Sequence, residues 1–107
     1  MSELEINVHF AVEKYLRELL QNLPEYSLSL DCIDWDYDNM VFTFRDRYEG
    51  NNPTYTKNIA DFRDGLQLYV DSINQDKVRE ILDPGNCDAI VVDCLVQYTI
   101  FGEVVYG

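Results

Sequence analysis

Apolar positions near the start of the chain recur at helical spacing. Leu4, Val8, Val12, Tyr15, Leu16, Leu19 and Leu23 fall on one stripe, the arrangement of an amphipathic helix. Ser2 and Glu5 have the spacing of a capping box, in which each side chain satisfies a backbone N–H at a helix start. Glu13 and Arg17 form an i,i+4 pair. Leu4, Ile6, Val8 and Phe10 also alternate with polar residues as a strand would. The longer period favours a helix over 3–22, closed before Pro24.

The pattern then changes to a period of two. Tyr26, Leu28, Leu30 and Cys32 alternate with Ser27, Ser29 and Asp31, and Met40, Phe42 and Phe44 alternate with Val41, Thr43 and Arg45. Asp36-Tyr37-Asp38-Asn39 between them has turn chemistry, so the segment predicts a β-hairpin. Gly50-Asn51-Asn52-Pro53 predicts a loop, with Tyr55 in the polar stretch 52–58 that follows. Ile59, Phe62, Leu66, Tyr69, Val70 and Ile73 restore the helical period, with Gly65 a weak point inside it. A short third helix is expected around 76–82, ended by Asp83-Pro84-Gly85-Asn86.

From Ile90 to Ile100 every even position is apolar, and no turn residue intervenes before Gly102. Ile90-Val91-Val92 weighs against the alternative of a helix over 87–97. The expectation is therefore one long C-terminal strand, bent or bulged at Gly102. Helix, hairpin, two helices and strand together predict an α+β fold. Its antiparallel β-sheet, made of the hairpin and the long C-terminal strand, would have two to three helices packed on one face.

Length and charge sharpen this picture. The 107 residues are 47% hydrophobic and 13% aromatic, which suits a single acidic α+β domain spanning 1–107 and excludes a disordered chain. Twenty acids against eight bases give a net charge of −12. Such a surface repels phosphate backbones and anionic lipid, so no direct nucleic-acid or membrane contact is expected, and basic proteins are the natural partners. No basic leader or long apolar run is present. The cysteines are odd in number: Cys32, Cys87 and Cys94. The last two lie ~23 Å apart along a strand or ~10 Å along a helix, too far for a disulfide. Three reduced thiols in the cytoplasm are the simplest expectation.

The charge is unevenly spread. Residues 18–44 hold six acids (Glu18, Glu25, Asp31, Asp34, Asp36, Asp38) and no base, and residues 80–107 hold five (Glu80, Asp83, Asp88, Asp93, Glu103) and no base. Residues 45–79 are balanced. If the hairpin and the C-terminal strand share a sheet, their carboxylates form one acidic zone, at a cost in self-repulsion.

Few motifs carry chemistry. Asp34-Trp35-Asp36-Tyr37-Asp38-Asn39 resembles the opening of a calcium loop, but Asn39 stands where glycine is needed and Arg45 where the bidentate glutamate belongs. Asx-rich turn chemistry accounts for it better. His9 is the only histidine, between Val8 and Phe10. No short zinc-ligand pairs, phosphate loop or nucleophile elbow occurs, and nothing marks a dyad of His9 with Cys32 or Cys94. No enzyme activity and no cofactor or metal is expected. The acids of the second helix (Asp61, Asp64, Asp71) alternate with bases as a solvated face does.

The leading expectation is a small acidic inhibitor or decoy that occupies the basic nucleic-acid-binding surface of another protein. Phage anti-restriction and anti-CRISPR proteins, glycosylase inhibitors and nuclease immunity proteins share this charge and size, and the analogy goes no further. The contact residues would be Glu25, Asp31, Asp34, Trp35, Asp36, Tyr37, Asp38, Asp83, Asp88 and Asp93. Trp35, the only tryptophan, would with Tyr37 anchor a ring of charges if exposed. The alternative is a structural or adaptor module, pairing with a second copy or a partner through its C-terminal strand.

Overall fold

The computed structural model describes residues 3–21, 23–25, 28–73 and 89–106, of which 3–11 and 25 by backbone alone. Helix α1 (Glu3–Leu20) leads into a 3-10 turn (Leu23–Glu25). Strands β1 (Asp31–Asp36), β2 (Val41–Arg45) and β3 (Thr54–Lys57) follow, then helices α2 (Ile59–Ser72) and α3 (Ala89–Phe101). The three strands form one antiparallel sheet in the order β1-β2-β3. The α+β class is as expected. The short helix expected around 76–82, along with Cys87, lies outside the described residues.

Helix α1 forms where the apolar stripe predicts it, and buries Tyr15, Leu16, Leu19 and Leu20. β2 supplies the centre of the core. Phe42 and Phe44 share one face of the strand, both fully buried, and meet the ring of Phe62 on α2 edge-on, with centroids 5.7 and 6.3 Å apart. Leu23, Leu28, Leu30 and Met40 complete this core. Helix α2 opens with a reciprocal cap: Asn58 Oδ1 accepts from Asp61 N–H at 3.1 Å, and Asp61 Oδ2 accepts from Asn58 N–H at 2.9 Å.

Two expectations are corrected. The polar stretch 52–58 contains β3, whose Thr56 hydroxyl lies 2.9 Å from that of Thr43 across the sheet. Only four residues long, it has too short an alternation to stand out from a loop. The larger correction is the C-terminal segment, which is the helix α3 and does not join the sheet. Val92, Leu95 and Val96 are buried, at the i, i+3, i+4 spacing of a helix. A segment apolar at nearly every position carries no period to distinguish helix from strand, so packing against α2 decides. At their crossing Gly65 faces Thr99, and a Cβ built on Gly65 would lie 2.7 Å from the Thr99 Cα. The missing side chain of Gly65 lets the two helices pack closely there. Gly102 is not a strand bend. With φ of 76° and its N–H bonded to the Tyr98 carbonyl at 3.0 Å, it ends α3 in the left-handed conformation glycine adopts freely.

Candidate functional site

β1 sets two apolar residues, Cys32 and Ile33, side by side, and strict alternation would put Asp31, Ile33 and Trp35 on one face. The structure interrupts it. Cys32 pairs with Phe44, Asp34 with Thr43, Trp35 with Phe42, and Asp36 with Val41, with a register shift between Cys32 and Asp34. Ile33 is the extra residue of a β-bulge. Directly opposed residues share a face. Asp31, Asp34 and Asp36 therefore line the sheet face of Arg45, Thr43 and Val41, while Cys32 and Trp35 take the face of Phe44 and Phe42. At ~3.3 Å per residue, Asp34 and Asp36 follow each other at ~6.6 Å.

Trp35 points to the core side yet remains 53% exposed, because β1 is an edge of the sheet. Ile33 and Tyr37 are exposed beside it. The Tyr37 hydroxyl donates to the Arg17 carbonyl at 2.9 Å, which ties the hairpin end to α1. The turn itself is held by Asp36, whose carboxylate accepts from Asn39 Nδ2 at 2.7 Å and Asn39 N–H at 3.2 Å. Those two bonds, the side-chain one first, hold the Asp36 carboxyl below the usual aspartate range. The left-handed residue of the turn is Met40, with φ of 54°, and not Asn39. Asp34 Oδ1 accepts from the Trp35 N–H at 3.0 Å. Asp38 is exposed. Asp31 is neutralised by an ion pair with Arg47, which also lies over the Tyr48 ring.

The expected contact residues thus divide. Asp31, Asp34, Trp35, Asp36, Tyr37 and Asp38 lie together on β1 and its turn. Glu25 falls in the 3-10 turn, described by backbone alone, and Asp83 and Asp88 lie outside the described residues. Asp93 belongs elsewhere. It is half-buried on α3, where its carboxylate accepts from Ser29 N–H at 3.0 Å, Ser29 Oγ at 2.7 Å and Gln97 Nε2 at 3.4 Å. With α3 outside the sheet, the acidic zone expected on one sheet from hairpin and C-terminal strand is not formed among the described residues, and the strand edge expected to pair with a second copy is lost with it.

Two buried polar residues, Asp46 and Gln97, close the other end of the molecule. Asp46 is fully buried and accepts from Tyr48 N–H at 3.0 Å and from the Tyr106 hydroxyl at 2.7 Å. Its carboxylate pushes the Tyr106 phenol up to about 12. Buried Gln97 accepts from Val105 N–H at 2.8 Å and Tyr106 N–H at 2.7 Å, and donates to the Tyr106 carbonyl at 2.9 Å. The segment after α3 is strapped down by these bonds. Asp93 and Gln97, a helical turn apart in an apolar run, were a legible hint of such a buried network.

The structure gives the catalytic candidates little. Burial pushes the Cys32 thiol up to about 11, away from the thiolate a nucleophile needs. The side chain of His9 is outside the described set. Among the described residues no three His, Cys, Asp or Glu side chains converge to hold a metal ion, and no helix is long and apolar enough to cross a membrane. Comparison with known proteins finds no matching family model, no similar curated protein and no similar solved structure.

Proposed function

We propose that the chain is a protein-binding domain that docks on the basic, nucleic-acid-binding surface of a partner and acts as its decoy or inhibitor, with the hairpin end as the contact. The observation that carries this is the exposure of Trp35 on an edge strand whose other face presents the carboxylates of Asp34 and Asp36. An indole left in water forgoes a large hydrophobic gain, and large stiff aromatics surrounded by charge are the usual anchors of interfaces. Asp34, Asp36 and Asp38 carry no ion pair among the described residues. They would steer a basic partner and stand in for phosphates. The adaptor alternative loses its support with the helical C-terminus.

Affinity capture from a lysate, at low and at high salt, tests the proposal when each retained protein is challenged with duplex DNA. Retained proteins should be eluted by salt and displaced by the duplex. Partners held equally at high salt, untouched by DNA, would overturn it.

A further inference from the structure

We propose, resting on the function above, that the exposed edge of β1 and its turn, with Ile33, Trp35 and Tyr37, receives an arginine-rich segment of the partner, with a guanidinium stacked on the Trp35 indole. Three features of β1 select this occupant. The first is charge. Asp34 and Asp36 on the opposite face of the same edge strand, and Asp38 in the turn, carry no ion pair among the described residues. Arg17, whose carbonyl takes the Tyr37 hydroxyl, is paired with Glu13. The second is position. The bond from Trp35 N–H draws the Asp34 carboxylate to the edge of the strand, beside the indole's own backbone. A planar cation can therefore stack and pair in one place. Guanidinium does both and sheds water more readily than ammonium, whereas lysine offers a strongly hydrated point charge.

The third feature excludes other occupants. The Trp35 N–H is already bonded and Ile33 is bulged out of register, so the edge presents a poor template for an added strand. A second copy of the chain would bring Asp34 and Asp36 against carboxylates of the same sign. What remains accessible is the exposed indole on one face of an edge strand whose other face and turn are negative.

Trp35 is the only tryptophan, so its fluorescence reads the site directly. The probes are hexaarginine and hexalysine, titrated at low salt. Hexaarginine should bind about threefold or more tighter, the scale of one exposed cation–π contact. By calorimetry, Trp35→Leu should bring the ratio of the two affinities to about one while salt-sensitive binding persists, and Trp35→Tyr should restore part of it. Equal affinities in the native protein, or an unchanged ratio in Trp35→Leu, would overturn the arginine assignment and leave the hairpin surface standing. Binding of neither peptide would overturn the proposed function itself. So would binding that survives Asp34→Asn/Asp36→Asn/Asp38→Asn as well as it survives the same changes at Asp61, Asp64 and Asp71.

Discussion

At the hairpin end the carboxylates of Asp34, Asp36 and Asp38 face solvent, whereas those of Asp46 and Asp93 are turned inward onto N–H and O–H donors. All five are aspartates in one acidic chain. The difference lies in burial, since Asp36 too accepts from two donors, both of Asn39, but at an exposed turn. An inward carboxylate with two donors is part of the fold, and its loss strands those donors. An outward one adds to the field that a partner meets and to the repulsion the fold tolerates. Formal charge therefore overstates the charge on offer, and the two ends of the molecule should respond to substitution in opposite ways.

The sharpest contrast comes from Asp46→Ala, which removes two charge-assisted bonds in a fully buried place and should cost about 3 kcal/mol in urea unfolding. Asp93→Ala frees the Ser29 N–H and hydroxyl at a half-buried site and should cost about 2 kcal/mol by the same measurement. If either variant melts like the native protein, the inward class is wrongly drawn.

Gly65→Ala tests the helical half without touching charge. Its new methyl group would meet the Thr99 backbone, at a strain of about 3 kcal/mol against about 1 kcal/mol gained in helix propensity. A net loss of about 2 kcal/mol is expected; a stabilised variant would mean that α2 and α3 are free to separate.

Titration sharpens the comparison at both extremes. Tyr106 has a phenol raised by its bond to Asp46, so it contributes stability below pH 10 that is lost as pH rises towards 12. Tyr106→Phe should abolish that alkaline loss. Asp36 has a lowered carboxyl, so its contribution is present above pH 3.8 and is lost as pH falls below it. Asp36→Ala should flatten the acid limb of the stability curve.

The smallest effect on stability belongs to Asp34→Asn and Asp38→Asn, which should leave the denaturant midpoint unchanged while weakening association with a basic partner. A marked loss of stability would move these residues into the class of Asp46.

Helices α1 and α2 and strand β2 were legible because each has one wet and one dry side, so its period appears in the residues. Helix α3 was not, since Ile90 to Phe101 is apolar almost all round. The one boundary signal there, Gly102, fits a helix end as well as a strand bend. The hairpin cluster could be found by counting charges around a lone tryptophan. The C-terminal acids could not be sorted that way, because counting cannot tell that Asp93 is spoken for by Ser29, 64 residues away.

The bulge at Ile33 makes the hairpin's surface a matter of reading frame. Transplanted whole into another sheet, the stretch 31–45 would deliver three carboxylates to one side and the indole to the other. Were the strand to run straight through Ile33 in place of bulging, strict alternation would carry Asp31 over to the side of Trp35. Loss of that one isoleucine would leave both faces as they are, since Asp31, Cys32, Asp34, Trp35 and Asp36 already pair in step with residues 45 to 41. A descendant chain could therefore shed the bulge and keep its acidic side.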